Sequence, residues 1–276
     1  MIEKVNKFHP DKIADRIAGA IVDLAYKAEE NPRIAVEVLI GHEKCTIIIE
    51  SSLIFTKTQI QPIVDRIAGE GIAVSLKSVK QDSHLAVLQE ERPHAADNGI
   101  FKGVPLTEEE RAISKITREI EEKAPYDGKY ILDGNTLVIC QSNLGENDER
   151  ALQEYYEDQG YEVCINPVGS WTGGIDVDTG ATNRKLGSDM ASSVTGGGVN
   201  GKDLSKMDVS ANIYAFYKAQ ELGKPVEMWC SIGSSYLNCK IGKRVTCIAV
   251  KDVIDYARDV INGMGGFEAF SEYGLY

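Results

Sequence analysis

A block of helix, two strands and helix recurs three times along the 276 residues, with starts near residues 10, 107 and 208. In the first block, apolar residues fall at helical spacing from Pro10 to Ala28 (Ile13, Ile17, Ile21, Leu24), and Pro10 suits a first helical turn. The runs 33–40 and 45–49 read as strands joined at Gly41, followed by a helix over 57–69 and a strand over 72–79. The second block opens with a helix over 107–123, whose Thr107 and Glu110 form a capping box. A hairpin follows over 130–141 with Asp133-Gly134 as its turn signal, then a helix over 147–159 closed by Gly160 and a strand over 161–165. The third block has a helix over 210–222 stopped by Gly223 and Pro225, strands over 226–232 and 244–250, and a helix over 252–261.

This period is too long for a solenoid. It predicts an α+β fold of three similar α/β units, each a mostly antiparallel sheet covered by helices on one face, in pseudo-threefold arrangement. The expected division is an N-terminal unit over 1–95, a central unit over 104–168 and a C-terminal unit over 169–276, with the units interwoven. Each sheet keeps a second face that another unit or a partner chain must cover. Residues 80–106 and 166–206 lack strong periodicity, and long irregular segments in compact domains are often functional.

Charge and composition exclude several classes. Forty-two acidic against 30 basic residues leave a net charge of −12. That balance repels nucleic acid and anionic lipid at long range, so neither is an expected partner. No apolar run reaches the ~20 residues that span a bilayer. The first residues, MIEKVNKFHPDK, lack the apolar core of a secretory signal, so a cytoplasmic protein is expected. Six cysteines occur without a C-x-x-C pair, which removes the usual zinc signal. Their apolar surroundings predict buried, reduced thiols.

The segment 165–208 carries most of the chemistry. Gly169, Gly173, Gly174, Gly180, Gly187, Gly196, Gly197, Gly198 and Gly201 are interleaved with Arg184, Lys185, Lys202 and Lys206. Glycines let a backbone approach phosphates closely, and cations beside them suit a polyphosphate. The carboxylates Asp176, Asp178, Asp189, Asp203 and Asp208 suit magnesium, which takes oxygen ligands. Gly196, Gly201 and Lys202 match part of a P-loop, but Asp203 stands where that motif needs Ser or Thr, and no strand and helix flank it closely.

Two further places stand out. His9-Pro10-Asp11-Lys12 lies at the first helix N-terminus, where free N–H groups favour anions. Asp11 there can equally serve only its own helix end. Glu37 is a carboxylate within the apolar run RIAVEVLI, and Glu50 ends the next strand. A carboxylate so placed needs either a partner or an exposed sheet face.

These segments together resemble the S-adenosylmethionine synthetases. That family carries a G-H-P-D-K run, then G-G-P-x-G-D-x-G-L-T-G-R-K, then H-G-G-G-x-x-S-G-K-D-x-x-K-x-D-R-S-A. This chain has His9 to Lys12, Gly173 to Lys185 and Gly196 to Ala211 in the same order and spacing. Weaker likeness runs through residues 33–50, Asp127-Gly128-Lys129, Ile165-Asn166-Pro167 and Glu272-Tyr273-Gly274. The departures are specific. Lys7 and Phe8 replace Glu and Gly, Gly169-Ser170-Trp171 replaces G-R-F, and Thr195 replaces the His before the glycine triplet. The family's active-site loop is reduced to HAADNG, 94–99.

The resemblance implies synthesis of S-adenosylmethionine from ATP and L-methionine, by attack of sulfur on ribose C5′. Tripolyphosphate is then hydrolysed to phosphate and diphosphate. It implies catalytic roles for His9, Lys129, Arg184, Lys185 and Lys202. The same residues, with Asp97, Trp171 and Lys206, would contact ATP. Methionine would be held by Glu50, Asp178 and Lys206. The implied metals are Mg2+ at Asp11 and Asp208 and K+ at Glu37. Active sites would lie at the interface of a homodimer or a dimer of dimers. Two other classes remain open at this point: another ATP-dependent phosphotransferase, and a catalytically impaired nucleotide-binding regulatory homologue.

Overall fold

The apolar repeat that begins at Pro10 forms α1 (Pro10–Ala28). Ile13, Ile17, Ile21 and Val22 are buried along it, and so are Ala14, Ala18 and Ala25, so α1 is covered on most sides. The computed structural model describes residues 1–82, 94–195, 199 and 202–276. Helix α1 packs on a four-stranded sheet whose order is β4-β3-β2-β9: β2 (Ile34–Gly41), β3 (Lys44–Ser51), β4 (Ala73–Lys80) and β9 (Gly180–Ala181). Helix α2 (Lys57–Ala68) connects β3 to β4 and covers the same face.

The second sheet repeats this plan. Its order is β1-β6-β7-β8, from β1 (Ile2–Val5), β6 (Gly128–Asp133), β7 (Thr136–Gln141) and β8 (Glu162–Ile165). In both sheets a central antiparallel hairpin carries one antiparallel edge strand and one parallel one. The parallel strand returns through a helix, as parallel pairing requires. Helices α3 (Glu108–Lys123) and α4 (Glu146–Glu157) cover this sheet. The Thr107–Glu110 capping box forms as expected.

The third sheet is antiparallel throughout, in the order β10-β5-β11-β12-β13. Its strands are β5 (Gly99–Gly103), β10 (Val194–Thr195), β11 (Val226–Cys230), β12 (Tyr236–Ile241) and β13 (Arg244–Ala249). Helices α6 (Met207–Leu222) and α7 (Val250–Met264) pack on it. The short helices α5 (Leu186–Met190) and α8 (Phe267–Tyr273) complete the set among the described residues. The three similar α/β units are therefore present, with β1 and β9 lent across the sequence to sheets of other segments.

Two readings change. The third block contains an extra strand, β12, between the two expected ones. Its alternation of Leu237, Cys239 and Ile241 with Asn238 and Lys240 is the mark of a half-buried strand. The thiols are not uniformly buried: Cys45 and Cys239 are, Cys140 and Cys230 are half-buried, and Cys164 and Cys247 are exposed. Alternation along each strand sends neighbouring positions to opposite faces, so an apolar run does not bury every member. All six are free. No helix of the described residues is long and apolar enough to cross a membrane.

Candidate active site

Asp11 ties the start of α1 to the segment that follows Gly180. His9 caps the helix, its Nδ1 accepting the Asp11 N–H at 3.2 Å. Asp11 Oδ1 accepts the Ala181 N–H at 2.9 Å. Arg184 stands 3.5 Å from the same oxygen, and Lys185 Nζ is 3.1 Å from Oδ2. A Cβ on Gly180 would meet the Pro10 carbonyl oxygen at 1.9 Å, so β9 can pass this close to α1 only with glycine there.

Behind Asp11 runs a buried chain of charges. Lys12 Nζ lies 2.7 Å from Asp189 Oδ1 and 3.3 Å from Asp15 Oδ2. Burial works to lower the Lys12 pKa, but Asp189 and Asp15 outweigh it and the net shift is upward. Asp15 also accepts the Asn183 N–H at 3.1 Å. Burial pushes its carboxyl up, against the pull of Lys12 and Lys202. Lys202 is buried in a left-handed backbone conformation, φ 62°. Burial lowers its pKa to about 8, with Asp15 opposing.

Lys129 and Asp178 stand on the open side, and Asp127 is buried. Asp127 Oδ2 accepts the Gly174 N–H at 3.2 Å. Burial raises its carboxyl to about 6, the Gly174 bond opposes this, and Asp178 adds to it. Lys129 on β6 is paired with Glu3 at 3.4 Å. His9 is held down at about 4, first by burial and then by Lys185, so its imidazole is neutral near pH 7. A cavity of about 320 Å³ opens beside Arg184 and Lys185, lined also by Glu3, Ser188, Ser192 and Tyr276.

A second group surrounds the start of α6. Asp208 lies in its first turn, and burial raises its carboxyl, with Lys206 opposing and Asp97 adding. Asp208 Oδ1 is buried with no hydrogen-bond partner among the described residues. Asp97 belongs to the shortened loop. That loop is pinned to the β11–β12 turn: Ala95 N–H donates to Ser234 O, and Gly233 N–H to Ala95 O, each at 2.8 Å.

Glu37 and Glu50 share the exposed face of the first sheet. Glu37 accepts a hydrogen bond from the Thr182 hydroxyl, and Glu50 sits opposite Ala35. Trp171 is partly exposed, and its indole Nε1–H donates to Asn166 Oδ1 at 3.1 Å. Contacts thus bring together His9, Asp11, Arg184 and Lys185, with Lys129 and Asp178 near enough for their charges to act on His9 and Lys202 buried. Asp97, Lys206 and Asp208 form the other group. The glycine triplet 196–198 and Gly201 lie outside the described residues.

Sequence reasoning gave no role to Asp15, Asp127 or Asn166, and it read Asp189 as a carboxylate suited to magnesium, whereas Asp189 is buried and paired with Lys12. Asp127 had a signal, since it opens the Asp127-Gly128-Lys129 run. Asp15 sits one helical turn beyond Lys12, on the same face. Nothing in the sequence marks Asp189 as an ion-pair partner, since Lys12 is brought to it only by the tertiary fold.

Residues 1–83 match the family model for the S-adenosylmethionine synthetase N-terminal domain. A curated S-adenosylmethionine synthase from Salinibacter ruber is 28% identical over 80% of this chain and 72% of its own length. One from Jannaschia sp. is 28% identical over 85% of this chain and 76% of its own length. The solved structure of an unusual S-adenosylmethionine synthetase from Campylobacter jejuni superposes with a TM-score of 0.72 at 20% identity. That superposition covers 100% of this chain and 93% of the other, and it is a likeness of fold.

Proposed function

We propose that this chain, which belongs to the S-adenosylmethionine synthetase family, makes S-adenosylmethionine from ATP and L-methionine and hydrolyses the tripolyphosphate to phosphate and diphosphate. The observation that carries this reading is the meeting of His9 and Asp11 with Arg184 and Lys185, two motifs far apart in the sequence.

The S–C5′ bond forms as the C5′–O bond breaks, and the electron pair leaves with the triphosphate. The thioether is neutral, so no base is needed to activate it. Negative charge builds on the leaving group, and catalysis consists of positioning plus stabilisation of that charge. Arg184 and Lys185, whose ion pairs among the described residues are with Asp11 and which are partly exposed, can turn onto the phosphates. Lys129 approaches from β6, and His9, whose Nδ1 accepts the Asp11 N–H, has its Nε2 left to donate to a phosphate oxygen. Lys202 is already desolvated, which strengthens its field. Trp171 would stack on the base, Asp97 would lie on the ATP side, and Glu50 and Asp178 would hold methionine. Lys206 would stand at the junction on the sulfur side.

The residues fit a divalent cation. Asp208 Oδ1 is a buried carboxylate oxygen lacking a donor among the described residues, the state a metal relieves. Asp11 supplies the second carboxylate, whose present partners are cations that the triphosphate would draw away. Magnesium held there would neutralise triphosphate charge. Glu37 on its exposed face suits potassium. The division of the site residues into two groups supports a site completed by a second copy, in a homodimer or a dimer of dimers. Exposed Leu39, Ile48, Ile100 and Val245 on the sheet faces are surfaces such a copy would cover.

Incubation with ATP, methionine and magnesium, followed by mass detection of the sulfonium product, tests the reading. Formation of S-adenosylmethionine is expected. Release of ADP without a sulfonium product would favour phosphotransfer instead, and nucleotide binding without turnover a regulatory role.

A further inference from the structure

Asn166 makes every hydrogen bond its side chain can make. Its Oδ1 accepts the Gln141 N–H at 3.0 Å and the Trp171 indole N–H at 3.1 Å. Its Nδ2 donates to Gln141 O at 3.1 Å and to Glu149 Oε1 at 3.0 Å. An amide has two acceptor sites on oxygen and two N–H donors, so nothing is left over. Gln141 also fixes which way the amide faces, since its N–H must meet the oxygen and its carbonyl the nitrogen. The residue is 8% exposed and its backbone is left-handed at φ 43°, a conformation asparagine tolerates better than most residues.

The indole of Trp171 reaches outward from this arrangement. Trp171 is 36% exposed. Its carbonyl accepts the Asn143 N–H at 3.0 Å. A Cβ on Gly173 would meet the far edge of its six-membered ring at 2.7 Å, so glycine there makes the room the ring occupies. The indole is held along its polar edge, at its backbone and against Gly173, while part of its surface stays open to solvent.

We infer that Asn166 is a positioning residue that holds the Trp171 indole as a preset platform for the nucleotide base. This rests on the reading of Trp171 as the base-stacking residue. A ring held in place before binding loses little freedom on stacking, which favours binding without altering the displacement step. Asn166 therefore acts on ATP affinity and not on the chemical step. Glu149, at the start of α4, extends the support by holding the amide nitrogen.

The test uses the full chain carrying Trp229→Phe, so that Trp171 is the single tryptophan. Asn166→Gly removes the side chain while keeping the left-handed turn unstrained. It should raise KM for ATP about 3- to 10-fold, the worth of one hydrogen bond, with kcat and the methionine KM nearly unchanged. Acrylamide should quench Trp171 fluorescence more strongly in this variant. A parallel pair in the unaltered chain, Trp171→Phe and Trp171→Phe with Asn166→Gly, should have similar ATP KM values, because the indole bond is already gone. Additive effects of the two changes, a loss of kcat at constant ATP KM, or unchanged quenching would each overturn the inference. If Asn166→Gly does not fold, Trp171→Phe alone carries the test, and an unchanged ATP KM would refute it. If the unaltered chain makes no S-adenosylmethionine, the proposed function fails, while the quenching comparison still decides the seat.

Discussion

Lys185 Nζ lies 3.1 Å from Asp11 Oδ2, and the Arg184 guanidinium lies 3.5 Å from the other oxygen of the same carboxylate. Under the proposed function, two cations that would meet the polyphosphate are stored on an acidic group until the nucleotide arrives. Exchange of these partners, rather than assembly of the site from scattered side chains, is then the change that substrate binding would require.

Asp11→Asn and Asp208→Asn should separate in stability while agreeing in activity. Each should lower magnesium-dependent synthesis by about 100-fold or more, the scale of losing a group that stabilises developing charge. Asp11→Asn keeps an acceptor for the Ala181 N–H and loses two ion pairs, with the largely exposed Arg184 and the partly exposed Lys185, so its melting temperature should fall only modestly. Burial holds the Asp208 carboxyl above its usual range, with Lys206 opposing, so its charge destabilises the fold. Asp208→Asn should melt at the same or a higher temperature. A clear drop in thermal scans would contradict the unpaired state of Asp208 Oδ1.

His9 should take up a proton when tripolyphosphate binds. Its pKa is lowered from 6.5 to about 4, by burial first and Lys185 second. The sign follows from linkage. The unfolded chain binds more protons between those two values, so the stability from keeping His9 neutral is complete above 6.5 and lost as pH falls toward 4. A polyanion beside the ring, drawing Lys185 away from it, reverses the bias. Calorimetry in buffers of different ionisation enthalpy should show proton uptake near pH 6 that fades near pH 8. Equal heats across buffers at both pH values would remove His9 from the phosphate site.

Asp189→Ala should destabilise the chain by about 3–5 kcal/mol, because it leaves buried Lys12 without its shorter ion pair. Asp15 remains at 3.3 Å but also serves the Asn183 N–H. Chemical denaturation measures this directly. A loss under about 1 kcal/mol would mean that Asp15 alone satisfies Lys12.

Much of the fold was legible because local signals and tertiary structure agree. Pro10 and the Ile13-Ile17-Ile21 repeat mark α1 at both of its ends, and the Thr107–Glu110 box marks the start of α3 to within a residue. The strands β1, β9 and β10 were not, since each is short and exists only by pairing with a strand distant in sequence. At the site, the His9–Lys12 and Arg184–Lys185 runs stood out in the sequence by residue type, and the fold brings them together at Asp11. The roles of Asp189 and Asn166 could not be announced, because burial and partner choice arise only once Lys12 and Trp171 have been brought to them.

Gly180→Ala should be far more damaging than Gly187→Ala. The first places a Cβ against the backbone oxygen of Pro10, which cannot rotate away, and β9 must then leave α1. That movement breaks the Ala181–Asp11 bond and carries Arg184 and Lys185 off with it. A Cβ at Gly187 meets nothing within 4 Å, and its backbone needs no special conformation. Gly180→Ala should lose stability and activity together, while Gly187→Ala stays near the parent in both. Equal behaviour of the two variants in melting and turnover assays would refute the close approach of β9 to α1.

Methionine should bind more weakly than tripolyphosphate. A closing lid slows ligand escape and shields developing charge from water. Here residues 94–98, which stand where the resembled family has its longer loop, are tied by Ala95 to Ser234 and Gly233 in the β11–β12 turn. A segment committed to that turn is a poor lid. Residues 187–193 are committed as well: Lys4 Nζ donates to Ser188 O at 2.9 Å, and the Ser192 N–H donates to Glu110 at 2.8 Å. The cations that meet the triphosphate are independent of any lid, since α1 and β9 hold them. The deficit should therefore fall on methionine, whose contacts through Glu50 and Asp178 lie on exposed surfaces. Calorimetry with each ligand in the presence of magnesium gives the order. Tight methionine binding beside weak tripolyphosphate binding would reverse it, and would require another segment to close over the sulfur.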